Sequence, residues 1–292
     1  MSAAASSAMR WQRVSIWLAL APALLLMALF LVMPAVKLVQ ISFFMHEPNI
    51  IMAPGFTLDN YQRYLTDPFY LSKMALTVRV CFWVAFFSLL LAYPVAYVLA
   101  RGRFAGKGLM IGLLLSPLLT NFVVLVFAWI LLLGPGSSLT KALQSILGPS
   151  LKLLYTETGL VIALVHVAFP YALIPLITAI VQVSRQLEEA ALSLGAGPWR
   201  AFFLIVLPLT LPGALAAGFV TVTIVLSSFA FAIYVGGDGV LIVPLLIWQA
   251  IRDTLDWPLA AAMSIASFLI VFAMLGLAMW LAGLTKSGRS FA

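Results

Sequence analysis

Apolar and polar positions in this chain fall into long blocks, with neither the period of two expected of a strand nor the amphipathic period of a soluble helix. Runs of about twenty or more almost uncharged residues alternate with short segments that carry most of the charge. A helix crossing the hydrocarbon core needs about 20 apolar residues. Six stretches meet that length: Ile16–Ile41, Leu71–Ala100, Gly108–Leu133, Thr158–Val183, Leu211–Val235 and Trp257–Leu284. A backbone in lipid must satisfy its own hydrogen bonds, and none of these runs alternates like a barrel strand, so they read as helices. The pattern predicts an all-α membrane protein with about six transmembrane helices. The first run exceeds the core of a secretory signal and continues into Lys37, so it reads as an uncleaved helix.

Between the runs, residues 42–70 hold an aromatic segment, FTLDNYQRYL, suited to a short interfacial helix, and Leu139–Leu147 suits another. The organisation expected is residues 1–70 for the N-terminal segment, first helix and outer loop, 71–284 for the transmembrane domain, and 285–292 for a tail. A polar loop at 184–210 interrupts that domain. Two small-residue spacings, Gly108-x-x-x-Gly112 and Ala214-x-x-x-Gly218, suit helix contact. Pro94, Pro117, Pro170 and Pro175 are expected to kink their helices.

Composition removes the soluble alternative. The chain is 64% hydrophobic and 9% charged, against about 45–50% and 25% in soluble domains. The net charge of +7 could suggest nucleic acid. The basic residues lie instead in short inter-helix loops, where they set membrane orientation. With six spans, Arg10, Arg13, Arg101, Arg103, Lys107, Arg185, Arg200, Lys286 and Arg289 share one side, which is therefore the cytoplasm, and both termini lie there. The single cysteine, Cys81, excludes an intrachain disulfide.

The segment Leu187–Gly213, LEEAALSLGAGPWRAFFLIVLPLTLPG, is charged enough to lie outside the bilayer yet rich in Ala, Leu and Phe. Glu188 to Leu192 are good helix formers and Gly195 can end them. Gly197-Pro198 makes a turn, and a second helical stretch is expected to end near Pro208. The result is a helix–turn–helix with an apolar side needing a partner. A connector resting on lipid headgroups is the alternative, though such helices are usually rich in Lys and Arg.

The spacing Glu189-Ala190-Ala191, then Gly195, then Ile205-Val206-Leu207-Pro208 resembles the signature loop of binding-protein-dependent ABC importer permeases of the type I fold. The resemblance implies that Glu188, Glu189, Ala190, Ala191, Gly195, Ile205, Leu207 and Pro208 form an ATPase-coupling segment. In it Glu189 would pair with a basic residue of a separate ATPase. FTLDNYQRYLTDPFYL and DTLDWPLAAAMS are similar to the spermidine/putrescine branch of that family. The implied partners are two ATPase subunits, a second, non-identical permease, a periplasmic solute-binding protein and the lipid bilayer. No nucleic acid is expected, and the location is the bacterial inner membrane. After the fifth helix, where that branch carries Gly-Gly and a variable residue, this chain has Gly236-Gly237-Asp238, an acid suited to a cationic solute or simply to water.

No cofactor, metal or catalytic residue is expected in the chain itself. A P-loop needs Gly, four residues, then Gly-Lys-Ser/Thr. Gly102-Arg103-Phe104-Ala105-Gly106-Lys107-Gly108 has three intervening residues and ends in Gly. ATP and Mg would be used by the partner ATPase, and the chain is not expected to be an enzyme. An ion-coupled secondary transporter is the competing reading, but such proteins use midplane acidic residues and no carboxylate lies near a helix centre here. Ionisable groups within spans mark candidate pathway positions. Arg79, Asn121, His166, Tyr171, Ser227, Ser228 and Asp238 are the candidates, with snorkelling open for Arg79 and an interhelical hydrogen bond open for His166 and Asn121.

Overall fold

The computed structural model describes residues 20–47, 50–53 and 55–285. The expectations for Arg10, Arg13, the start of the first helix at Ile16, Lys286, Arg289 and the tail 286–292 lie outside these residues. Its helices, in chain order, are α1 (Leu20–Ser42), α2 (Asp59–Thr66), α3 (Pro68–Arg101), α4 (Lys107–Leu119), α5 (Phe122–Leu133) and α6 (Ser138–Leu147). They continue with α7 (Glu157–Gln182), α8 (Arg185–Ser193), α9 (Pro198–Ser227), α10 (Phe229–Gly239), α11 (Val243–Arg252) and α12 (Trp257–Thr285). Five of them (α1, α3, α7, α9 and α12) are long and apolar enough to cross a membrane, and up to seven spans arise if each of two bent pairs counts as one.

Three long helices form the centre. Val80, Val84, Leu160, Leu164, Val225 and Phe231 fill one half of the α3–α7–α9 interface. Ala92, Ala96, Leu99, Leu173, Leu176 and Ala217 fill the other. The small residues bring backbones close, as membrane helix packing requires where lipid supplies no hydrophobic drive between helices. Gly213 is the extreme case: a Cβ there would stand 2.3 Å from the Ala179 Cβ. Gly218 packs towards Leu89, whereas a Cβ added at Gly108 or Gly112 would meet nothing among the described residues.

Large apolar side chains remain outside. On α1 Leu25, Phe30 and Leu31 are each about two-thirds or more exposed, at 69%, 73% and 67%. That helix packs along α12 and contributes no buried residue to its apolar window. In water such a surface would aggregate; in lipid it is the solvent-facing side.

The structure departs from the sequence reading in three places. Met45–Glu47 (β1) and Ile50–Ala53 (β2) form an antiparallel hairpin, Met45 opposite Ala53, where none was expected. Ser42 and Asn60 explain its seat: Asn60 Nδ2 donates to the carbonyls of Ser42 and Phe44 at 3.0 and 2.9 Å, closing α1 and starting the turn. The run Gly108–Leu133 is not one straight helix but α4 and α5, bent by 98° at Thr120-Asn121. Pro94 lies inside α3, and Pro170 and Pro175 inside α7.

The third departure is at Pro208, which does not end a helix. The N–H of Leu207 bonds to the Phe202 carbonyl in a π turn over Phe202–Val206, and α9 runs on to Ser227. The same device precedes Pro34, where the Met33 N–H reaches Ala28 across the π turn Ala28–Val32. A proline has no N–H and its ring collides with the carbonyl four residues back. Widening the preceding turn by one residue relieves both constraints. The fifth span therefore begins at Pro198, well before Leu211.

Candidate functional site

The loop joining α7 to α9 is built from local signals. Ser184 caps α8, its Oγ accepting from the Gln186 N–H at 3.3 Å. At the other end the Ala196 N–H bonds to the Ala191 carbonyl and the Gly195 N–H to the Leu192 carbonyl, both at 3.0 Å. This is a Schellman closure, which places the following residue in the left-handed region. Gly195 has φ +87° there, and a Cβ at that position would meet nothing, so the demand for glycine is conformational.

The two adjacent glutamates point apart. Glu188 is buried: its Oε2 accepts from the Tyr97 hydroxyl at 2.7 Å and its Oε1 pairs with the Arg101 guanidinium. Arg101 also donates to the Val183 carbonyl at 2.8 Å. Arg185 donates in turn to the Arg101 carbonyl at 2.9 Å and the Ala100 carbonyl at 3.4 Å, supplying partners to the end of α3. Glu189 and Ala190 are exposed and Ala191 is half-buried. Leu194 at 89% and Trp199 at 76% exposure extend the same outward surface. Ile205 and Leu207 are half-buried and Pro208 is exposed, all within the π turn or the helix after it. Of the predicted segment, Glu188 thus belongs to the inner face and Glu189 to the outer.

The candidate pathway residues do not form one cluster. His166 accepts from Trp129 Nε1 at 3.3 Å, an interhelical bond between α7 and α5. It also lines a cavity of about 680 Å³ with Phe87, Ser116, Pro117, Thr158 and Phe169. Asn121 lies in no helix interior: its Oδ1 accepts from the Val123 N–H at 2.9 Å, capping α5 at the bend. Arg79 is paired between helices, its Nε donating to Glu157 Oε1 of α7 at 2.8 Å. Ser227 and Ser228 return their hydroxyls to the Thr223 and Ile224 carbonyls of their own helix, at 2.9 and 2.6 Å. Ser228 ends α9 with ψ 47°. Tyr171 is half-buried on α7 beside Pro170, and Asp238 is exposed in the last turn of α10.

Several residues in these arrangements escaped the sequence reading. Asp256 is buried, pairs with Arg63 at 3.3 Å, lies 3.8 Å from His46 and caps α12 through the Leu259 N–H at 3.0 Å. Its signal was present, since Asp before Trp257-Pro258 is a helix start with proline in the first turn. Tyr97, Arg101, Trp129 and Glu157 gave no local signal, because each acts through a partner distant in sequence.

Comparison with known proteins agrees with this architecture. Residues 9–286 match the family model described as "Binding-protein-dependent transport system inner membrane component". The chain is 28% identical over 251 residues to the spermidine/putrescine transport system permease protein PotB of Escherichia coli (strain K12), covering 85% of this chain and 91% of that one. It is 36% identical over 146 residues to the molybdenum transport system permease protein ModB of Haemophilus influenzae, covering 50% and 63%. A bacterial ABC transporter importing the acidic polysaccharide alginate superposes with TM-score 0.75 at 15% identity, covering 96% of this chain and all of that one. With the signature loop, the multi-pass helical architecture and a match running almost end to end, the chain belongs to the binding-protein-dependent inner-membrane permeases of ABC importers.

Proposed function

We propose that this permease spans the inner membrane six times with both termini in the cytoplasm. In this reading it forms the solute pathway together with a second, non-identical permease. Two ATPase subunits, which use ATP and Mg, dock on its α8–Gly195–α9 loop. A periplasmic protein delivers the solute, a polyamine or related small organic molecule, at the opposite end. The positive residues of the loop end support the orientation, and likeness to PotB supports the solute class.

The observation that carries the docking role is the split between adjacent glutamates. Glu188 is spent inside the bundle, while Glu189 stands outward beside Ala190, Leu194 and Trp199, a surface no other part of the described chain covers. A small-residue surface with one fixed charge permits close approach and sets register. In the pathway His166, Asn121 and Asp238 are the residues to test, with Arg79, Tyr171, Ser227 and Ser228 as weaker members.

The test is to purify the chain with the products of neighbouring genes. The expected result is co-purification with an ATPase whose hydrolysis rises on adding the loaded binding protein, and loss of that rise in Glu189→Lys. A thermal-shift screen of the binding protein against polyamines, amino acids and phosphonates names the solute. Uptake by the chain alone, driven by an ion gradient, would overturn the proposal.

A further inference from the structure

Arg101 and Glu188 place opposite charges in a largely buried site, their side chains 13% and 12% exposed. Desolvating two charges is costly, and such a pair often adds little stability beyond what apolar residues of the same size would give. Its geometry suggests a different use. Tyr97 and Arg101 stand one turn apart at the end of α3 and hold the two oxygens of one carboxylate on α8. Arg185 of α8 reaches back to the Ala100 and Arg101 carbonyls. Arg101 also holds Val183, the residue that ends α7. The contacts run in both directions, so each helix end carries side chains held by the other.

The connection of α8 to α9 is different in kind. It passes through Gly195 and the turn at Gly197, where an added Cβ would meet nothing within 4 Å at either position. Phe202 of α9 also packs edge-on against Tyr97, with ring centroids 5.5 Å apart, so the same tyrosine meets both α8 and α9.

We infer that the Tyr97–Arg101–Glu188 clasp is the positioning element through which displacement of α8 reaches α3, giving the loop a side-chain route into the bundle beside its covalent links to α7 and α9. The inference rests on the reading of α8 as the ATPase-docking helix. Under it, two neighbouring carboxylates divide the work: Glu189 meets the ATPase and Glu188 passes the movement inward.

Hydrogen exchange of the complete transporter in lipid nanodiscs, with and without ATP plus orthovanadate, tests this. In the wild type the amides of residues 185–196 and of 94–101 should respond together. In Arg101→Gln the response of 185–196 should persist while that of 94–101 falls about tenfold, within the range typical of coupling between sites. Tyr97→Phe should give a smaller fall, and Arg101→Glu combined with Glu188→Arg should restore part of the response. Should Arg101→Gln fail to assemble, Tyr97→Phe carries the test. A variant that lowers the melting midpoint but leaves the 94–101 response at the wild-type level would overturn the clasp. No response of 185–196 in the wild type would overturn the docking reading itself, and is seen before any substitution is made.

Discussion

The helix α3 carries an arginine–glutamate pair near each end, and the two differ in almost everything but chemistry. Arg79 and Glu157 form a two-pronged pair with side chains 59% and 29% exposed. Arg101 and Glu188 are 13% and 12% exposed and share their partners with Tyr97, Val183 and Arg185. An open pair gains little over its separate hydrated ions. A buried pair makes each partner indispensable to the other, because removing one strands a charge. What separates a contact that decorates a surface from one that fixes a position is therefore its surroundings.

The comparison can be broken from its strongest side. Arg101→Ala should destabilise the assembled permease by about 3 kcal/mol, the range found when one member of a buried pair is removed, read as a lowered melting midpoint in detergent. Adding Glu188→Ala should return part of that loss, since no charge is then stranded.

Gly195→Val forces a branched side chain to φ +87° and should cost about 1–2 kcal/mol of local stability. Its readout is loss of ATPase stimulation by the binding protein, with the melting midpoint changing less than in Arg101→Ala. Trp129→Phe removes the bond to His166 and should cost about 0.6 kcal/mol, the mean for polar contacts between membrane helices. Arg79→Gln should produce the smallest effect, a melting midpoint indistinguishable from wild type in both low and high salt. A loss in Arg79→Gln equal to that in Arg101→Ala would show that burial is not what distinguishes the two pairs.

How much of this was legible beforehand follows from what a linear pattern can hold. The ends of α3, α7 and α12 fall within a few residues of the apolar runs, since length and hydropathy are properties of the sequence alone. The loop between α7 and α9 was visible through its spacing, and Gly195 through its conformational role. Hydropathy counts residues without regard to direction, so it could not show that Thr120-Asn121 bends one apolar run by 98°. Nor could it show that a π turn lets α9 pass Pro208. The fate of Glu188 was hidden for another reason: it depends on Tyr97 and Arg101, which come near only after α3 and α7 pack. Asn121 and Arg79 show the same limit, one being a cap and the other one half of a pair whose second member begins α7.

Pro198 to Ser227 is one helix of 30 residues, which at about 1.5 Å per residue is close to 45 Å of rod. A bilayer core is about 30 Å thick, so a single stiff piece both crosses the lipid and protrudes from it by several turns. Its backbone runs from the loop to the break at Ser228 as one helix, its register widened by the π turn at Phe202–Val206. Beyond that break the chain continues into α10 and α11, which are bent by 93° to one another.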